Sequence, residues 1–257
     1  MKKLEIYCQI NQDKRIERNI ATYFQGWLMD RLDSNYAEYL HDIPVTPYSI
    51  SSTVSNNEVK FIINMLTKDA EEHIQPILMD NDLKYIELIS SQQVSFRINK
   101  IEEEELNQEG LARIFYSTEE TNSRIKVFFD SPTSFKSQGE YLFYPDIRLI
   151  IQSLMKQYNF YFEQTLKVDK DFLYELVEGI KIVNYRLSST RYGIHTSKIP
   201  GFTGEIVLSL RMNTTMKNYL MMLLKMGEYT GVGIKTSMGM GAIRLGMLGG
   251  QTWTKSK

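Results

Sequence analysis

Hydrophobic and polar residues repeat along the first half of the chain with two different periods. Residues 3–10, KLEIYCQI, alternate between apolar and polar side chains, which is the pattern of a strand with one buried face. Residues 15–32 instead place apolar side chains along one face of a helix. The same two patterns predict further strands at 58–66, 83–91 and 92–103 and a second helix at 68–79.

The second half repeats this mixture after a polar stretch near 117–123, which has the composition of a linker. Strands are predicted at 124–130, 181–190, 204–212 and 242–248, and helices at 146–158, 170–179 and 214–231. Pairs of strands follow one another without a helix between them, which favours an α+β fold over a doubly wound one. The order of elements fits two tandem ferredoxin-like domains, at residues 1–120 and 121–257.

The composition is that of an ordinary globular protein, because 42% of the 257 residues are hydrophobic and 24% are charged. Cys8 is the only cysteine, so no internal disulfide can form, and one cysteine with three histidines cannot supply a zinc site of the usual kind. The N-terminus lacks a signal-peptide pattern, and no apolar run approaches the roughly 18 residues that span a bilayer. We therefore expect a cytoplasmic protein without a cofactor, a bound metal or a membrane partner.

The charge is unevenly distributed, although the net charge is only −1. Residues 179–257 contain 11 lysines and arginines against two acidic residues, which gives +9. Residues 1–178 contain 19 basic against 29 acidic residues, which gives −10. Such an asymmetry points to a nucleic acid or a membrane as partner. The alternative is a scaffold whose two halves pair through opposite charge.

The most informative stretch is GEYTGVGIKTSMGMG, residues 227–241, which follows a predicted helix and leads into a strand. Its glycines let the backbone take positive φ and approach a ligand closely. Lys235 and Thr236 can donate hydrogen bonds to phosphate. The spacing excludes a Walker A loop, because Ile234 precedes Lys235, and it lacks the third glycine of a dinucleotide fingerprint. The alternative is a hairpin or bulge in which the glycines are structural.

Three other segments are distinctive beside this stretch, which continues as GEYTGVGIKTSMGMGAIRL to residue 245. They are LHDIPVTPYSIS at 40–51, SPTSFKSQGEYLFYPDIRLIIQSLM at 131–155 and IPGFTGEIVLSL at 199–210. Together the four resemble, in the same order, segments of the CRISPR-associated endoribonucleases that process precursor crRNA, a family of the RAMP superfamily. The pattern looks closest to the versions found beside type III interference complexes of Gram-positive bacteria.

The resemblance implies two tandem ferredoxin-like (RAMP-like) domains and an endoribonuclease that needs no metal ion. In that chemistry the 2′-hydroxyl of RNA attacks the adjacent phosphorus and leaves a 2′,3′-cyclic phosphate and a 5′-hydroxyl. His41 matches the family's catalytic histidine, the general acid, and histidine suits such proton transfer near neutral pH. The implied partners are CRISPR repeat RNA and a type III interference complex, and we expect a monomer or homodimer.

The resemblance leaves the general base open. The positions of the family's tyrosine and lysine are occupied here by Met29 and Thr46, so neither matches. The sequence offers four substitutes without choosing among them, namely Tyr23, Tyr39, Tyr48 and Lys235. This departure keeps a second hypothesis open, in which the chain is a catalytically silent RNA-binding subunit of a CRISPR ribonucleoprotein complex.

RNA binding is predicted for the strand segment that contains Lys181, Arg186, Arg191 and Lys198, for Lys136, and for the glycine-rich stretch. The residues predicted to contact RNA are Lys136, Lys181, Arg186, Arg191, His195, Lys198, Gly231, Gly233, Lys235, Thr236, Gly239 and Gly241. A catalytic role is the alternative for His195. Tyr185 and Tyr192 are predicted to stack on unpaired bases. His73, which follows two acidic residues on a polar helix face, is predicted to be a solvated surface residue.

Overall fold

The chain forms two units, each built around an antiparallel sheet. The structure is a computed structural model that describes residues 1–10, 16, 19–55, 57–89, 93–118 and 122–246. The first unit consists of Met1–Leu106 with two later segments, Tyr192–Ile199 and Lys235–Met240. The second unit consists of Asn107–Arg191, Pro200–Ile234 and the described chain from Gly241 onward.

The sheet of the first unit has five strands in the order β2-β3-β1-β5-β4, and every neighbouring pair is antiparallel. The strands are β1 (Lys2–Ile10), β2 (Tyr48–Ser55), β3 (Glu58–Met65), β4 (Tyr85–Ile89) and β5 (Gln93–Glu105). Apart from the additional edge strand β4, this order is that of a ferredoxin-like β-α-β-β-α-β unit. The alternation along β1 puts Leu4, Ile6 and Cys8 on the buried face.

Three helices share a hydrophobic core with this sheet. They are α1 (Ile20–Met29), α2 (Ser34–Asp42) and α3 (Lys68–Leu78). Helix α2 begins at Asp33, whose side chain accepts a hydrogen bond from the backbone N–H of Tyr36 at 2.9 Å, as an N-cap does. Phe24 of α1 stacks on Phe61 of β3 with 4.5 Å between the ring centroids. The helices are therefore held on the sheet by apolar packing.

The second unit has a four-stranded sheet in the order β11-β6-β10-β9. Its strands are β6 (Arg124–Thr133), β9 (Ile180–Ile194), β10 (Ser197–Leu210) and β11 (Ile243–Gly246), and a small hairpin of β7 (Phe135–Ser137) and β8 (Glu140–Leu142) follows β6. Its helices are α4 (Gln108–Phe115), α5 (Ile147–Phe162), α6 (Lys170–Glu178) and α7 (Thr214–Thr230). Helices α5 and α6 lie between β6 and β9 in the chain, and α7 lies between β10 and β11, so this unit is also ferredoxin-like.

The predicted α+β fold is confirmed, but helix α4 was not among the predicted elements. Helix α4 begins at Asn107, whose side chain accepts a hydrogen bond from the N–H of Gly110 at 2.8 Å. Asn218 of α7 donates to the backbone carbonyls of Phe115 and Ser117 at 3.1 and 2.7 Å.

The boundaries of units and elements differ from the predicted ones in several places. The chain divides after Leu106 rather than at residue 120, because α4 packs on α7 in the second unit. The predicted helix at 15–32 is helical from Ile20 to Met29. Some predicted positions lie outside the described residues: 15, 17 and 18 of that helix, 90–92 of two strands, 119–121 of the linker and 247–248 of the last strand. Among the described residues, no helix is long and apolar enough to cross a membrane.

Candidate functional site

His41 lies in the last turn of α2 and is exposed to solvent. The two residues that bury the opposite side of this short helix are Tyr36 and Leu40. The helix ends at Ile43, where the backbone becomes extended and leads through the proline-containing loop to β2. His41 is therefore an accessible imidazole on an anchored element, as a proton donor or acceptor for a bound substrate needs to be.

The hydroxyl of Tyr48 lies beside Met29, the residue at the position of the family's tyrosine. It donates to Met29 Sδ at 3.8 Å and receives a hydrogen bond from Gln25 Nε2 at 3.4 Å. Burial raises the pKa of Tyr48, while hydrogen bonds from Gln25 and Ser237 act in the opposite direction. A buried phenol with a raised pKa stays protonated near neutral pH, so Tyr48 is suited to holding its neighbours rather than to removing a proton.

The glycine-rich segment is divided between the two units, and its part in the second unit is tightly packed. Gly231 ends α7 with a φ of 70°, and its carbonyl accepts a hydrogen bond from the buried side chain of Gln157 at 3.2 Å. Gly233 has a φ of 84°, and a Cβ added there would overlap the carbonyl oxygen of Ser134. That same carbonyl accepts the N–H of Ile234 at 3.0 Å. Glycine is required here because two backbone segments touch.

The other part of the segment belongs to the first unit and forms the 3₁₀ helix Thr236–Met238. The carbonyl of Met238 accepts hydrogen bonds from Tyr192 Oη at 2.9 Å and from Thr22 Oγ1 at 3.0 Å. Gly239 follows with a φ of 101°, and a Cβ there would overlap Tyr192 Oη and lie 2.7 Å from the Cβ of Ala21. The turn is thereby fixed on helix α1.

The glycines therefore have the structural role that the sequence left as an alternative, at least at Gly233 and Gly239. Gly231, Gly239 and Gly241 are buried, whereas Lys235 is exposed and adopts a left-handed conformation with a φ of 57°. Contact between this segment and RNA stays a prediction. The exposed part that could make it is centred on Lys235, with Thr236 partly exposed beside it.

The predicted stacking of Tyr192 on an unpaired base is wrong. Its side chain is only 2% exposed, because it lies beneath the 3₁₀ helix and its hydroxyl is used by the carbonyl of Met238. Tyr185 is 69% exposed on the edge strand β9, so its ring is accessible to a base. Spacing in the sequence could not separate the two tyrosines, since both lie on one strand among basic residues.

The predicted basic contacts are all exposed and fall into both units. In the first unit these are His195, which has a φ of 49°, and Lys198, in the segment that also contains Tyr192. In the second unit they are Lys136 on β7 and Lys181, Arg186 and Arg191 on β9. Each unit therefore presents its own cations to solvent, and phosphate contact by these residues stays a prediction.

His73 lies at the surface, with 35% of its side chain exposed, but one face of its ring is covered, which the sequence did not predict. Its imidazole stacks on the ring of Tyr36 with 3.8 Å between centroids and 6° between planes. Its ring nitrogens also lie 3.8 Å from a carboxylate oxygen of Asp33 and 3.7 Å from one of Asp69. The polar neighbours of His73 in sequence gave no sign of this stack, because Tyr36 comes from a different helix.

Comparison with known proteins identifies the family. A family model described as CRISPR-associated endoribonuclease Cas6 matches residues 127–243. The CRISPR-associated endoribonuclease Cas6 of Streptococcus thermophilus is 37% identical over 235 residues, which cover 90% of this chain and 95% of that protein. The Mycobacterium tuberculosis protein of the same name is 35% identical over 241 residues, which cover 91% of this chain and 75% of that protein.

The chain belongs to the Cas6 family of CRISPR-associated endoribonucleases. The resemblance to precursor-crRNA endoribonucleases and the assignment as an endoribonuclease are thereby confirmed. The fold agrees with solved Cas6 structures. A Cas6 product complex has a TM-score of 0.74 and 20% identity, and covers 96% of this chain and 100% of that one. Thermus thermophilus Cas6 has a TM-score of 0.69 and 20% identity, and covers 95% and 97%. At this identity the likeness supports the tandem ferredoxin-like fold of the Cas6 family.

Gly239→Ala is expected to destabilise the protein by at least about 2 kcal/mol, because the new methyl group overlaps Tyr192 and the backbone φ is unfavourable for alanine. Gly26→Ala is the matched control, since its Cβ would have no atom within 4 Å and alanine favours helix α1. Chemical denaturation of both variants measures the effect. Equal unfolding midpoints for Gly239→Ala and the wild type would contradict it.

Tyr192 predicts a pH-dependent difference in stability. Burial raises the pKa of its phenol to about 12. The folded pKa is above the unfolded value of about 10, so this stabilisation is complete below pH 10 and is lost toward pH 12. Between these pH values, the free energy of unfolding should fall by about 1–2 kcal/mol more in the wild type than in Tyr192→Phe. Parallel curves for the two proteins would refute the assignment.

Proposed function

We propose that this protein is a metal-independent endoribonuclease that cuts CRISPR precursor transcripts within their repeats and so produces crRNA units. The observation that carries the proposal is the 37% identity to a named CRISPR-associated endoribonuclease across 90% of the chain. The exposed His41 at the end of α2 supports it, because RNA cleavage of this kind needs an accessible proton donor. The proposed site of action is the cytoplasm.

The proposed reaction uses a nucleophile that RNA itself supplies. The 2′-oxygen forms a bond to the adjacent phosphorus as its proton passes to a base, and the bond from phosphorus to the 5′-oxygen breaks. His41, in its protonated form, gives a proton to that leaving oxygen. The products are a 2′,3′-cyclic phosphate and a 5′-hydroxyl. The enzyme must then align the attack and stabilise charge on the phosphate oxygens, which cations and backbone N–H groups can do.

The general base remains to be assigned among the four candidates. The raised pKa and burial of Tyr48 disfavour it. Tyr39, two residues before His41 on α2, is 48% exposed, Tyr23 is partly buried, and Lys235 is exposed on the glycine-rich segment. We propose that the base is one of these three.

The proposed ligand is CRISPR repeat RNA, and its backbone would pair with exposed cations. In the first unit these are Lys198 and Lys235, with His195 and Thr236 as hydrogen-bond donors. In the second unit they are Lys136, Lys181, Arg186 and Arg191, and Tyr185 offers a ring for base stacking. We further propose that the protein works as a monomer or homodimer and delivers its product to a type III interference complex.

A catalytically silent RNA-binding subunit is the second candidate function. It is favoured by Met29 and Thr46, which stand where some relatives carry a tyrosine and a lysine. A thioether cannot take up a proton near neutral pH. The two functions differ in one measurable property, since both require RNA binding but only the first requires a cut.

Wild-type protein is expected to cut labelled repeat RNA at one position in the presence of EDTA and to leave a cyclic phosphate end. His41→Ala should lower the single-turnover rate by about 10²–10⁴-fold, the usual contribution of a general acid, and should keep its affinity for the RNA. Gel analysis with end-group mapping measures both.

The outcomes separate the candidates. Binding without a cut in any buffer would favour the silent subunit. A wild-type rate in His41→Ala would refute the assignment of the general acid, and absence of binding would leave the charge-paired scaffold. Cleavage that EDTA abolishes and Mg²⁺ restores would contradict metal independence.

Lys181→Ala and Arg186→Ala are each expected to weaken RNA binding and to reduce the slope of log K against log salt concentration by about 0.7–0.9, because each removes one phosphate contact. Arg113→Ala is a control, since Arg113 is an exposed cation on α4 outside the proposed surface. A filter-binding series at several salt concentrations measures the slopes. Slopes equal to that of the wild type would remove these residues from the interface.

A further inference from the structure

We infer that His73 is a positioning residue for His41, and that it acts by stacking on Tyr36 in the helix that carries the catalytic imidazole. The inference rests on the proposed function, because it assumes that His41 donates the proton. His73 itself needs no contact with RNA for this role. Its contribution is to hold α2 at one angle on α3.

Helix α2 depends on such contacts because it is short. It has nine residues, and an isolated helix of that length is not stable in water. Its buried residues are Tyr36 in the first half and Leu40 in the second. His41 follows Leu40 directly and is exposed to solvent. The direction of its side chain is therefore set by the orientation of helix α2. The angle of α2 therefore follows from what Tyr36 and Leu40 contact.

The stack on His73 fixes the first half of α2. The Tyr36 residue is 5% exposed, and the imidazole lies parallel to its ring at 3.8 Å, which puts one face of each ring in van der Waals contact. Tyr39 adds a tilted contact to Tyr36 with 5.7 Å between centroids. Tyr36 is thus contacted by one ring from α3 and by one ring from its own helix.

The imidazole is itself held by α3, so it can serve as a rigid support. Its Nδ1 lies 2.9 Å from the backbone oxygen of Asp69, one turn earlier. A carbonyl oxygen can only accept, so Nδ1 carries the hydrogen, and this fixes the plane of the ring. Nε2 then faces the carboxylate of Asp33 at 3.8 Å. Asp33 is the N-cap of α2, so one imidazole touches both the cap and the first turn of the helix.

The geometry converts a small tilt of α2 into a displacement of His41. At 1.5 Å per residue, His41 lies about 7.5 Å along the helix axis from Tyr36. A tilt of about 10° then moves it by about 1 Å, and a misplacement of that size can cost about 10²-fold in rate. Loss of the stack is therefore expected to affect the chemical step more than RNA binding.

The experiment compares ring-retaining and ring-deleting variants of His73. His73→Ala and His73→Gln remove the stack and should lower the single-turnover cleavage rate of repeat RNA at least 10-fold, with the Kd within about 2-fold of wild type. His73→Phe keeps a ring against Tyr36 and should return the rate to within about 3-fold. Glu72→Ala, an exposed neighbour on α3, is the control and should match the wild type. Thermal melting of each variant establishes that it is folded at the assay temperature.

The pH profile of the cleavage rate tests whether His41 still acts as the proton donor in the variant. Because His41 remains the acid, His73→Ala should lower the whole profile and keep its shape. A wild-type rate in both ring-deleting variants would overturn the inference, as would a rate in His73→Phe as low as that of His73→Ala. A loss of RNA affinity that accounts for the loss of rate would also overturn it.

His41→Ala in the same assay distinguishes this inference from the proposed function. If His41→Ala is inactive and His73→Ala cuts normally, the inference fails alone. If His41→Ala cuts at the wild-type rate, the proposed function fails and the inference fails with it, since there is then no catalytic group on α2 to position.

Discussion

The carbonyl oxygen of Met238 accepts hydrogen bonds from two buried hydroxyls, and the form of the glycine-rich segment depends on this arrangement. Tyr192 and Thr22 occupy both acceptor directions of that oxygen, and Gly239 leaves the space in which the Tyr192 ring fits. These contacts fix the backbone of Met238 and Gly239 on helix α1.

The proposed chemistry also depends on side chains that are held in fixed positions. RNA brings its own nucleophile, so the protein has to supply geometry and proton transfer rather than a reactive group. His41 stands at the end of a nine-residue helix, and Tyr48, after the next loop, is buried against helix α1. The loop between them is therefore anchored by helix α2 at one end and by the buried Tyr48 side chain at the other. Such fixation matters more for rate than for affinity, since it restricts the reacting groups and not the whole RNA.

Periodicity in the sequence predicted most of the strands and helices, because alternating and helical patterns reflect which face of an element is buried. The fold class followed from the same reasoning, and the choice of His41 followed from the family resemblance. Helix α4 was missed because its stability comes from the Asn107 cap and from contact with α7, and neither is visible in its own composition. Its one acidic residue, Glu109, is exposed, whereas Leu111 on the same helix is buried.

The site could be predicted only where a residue's role depends on local sequence. Tyr192 and Tyr185 lie on one strand with similar neighbours, yet one is buried by a turn formed from residues 236–238 and the other is exposed. His73 likewise acquired its partner from a helix more than thirty positions earlier in the numbering. Contacts between elements distant in the chain decide both cases, and a single sequence does not record them.

The discontinuous make-up of the first unit has a consequence for how the chain is synthesised. Residues Met1–Leu106 emerge from the ribosome first. The surface of α1 around Ala21 and Thr22 is covered only after Lys235–Met240 has also emerged. The amino-terminal unit therefore cannot finish packing during translation and must wait for nearly the whole polypeptide. A fragment that ends at Leu106 would lack this segment and would leave an apolar, hydrogen-bonding surface of α1 uncovered. The first unit is therefore not expected to fold as a separate fragment or fusion partner.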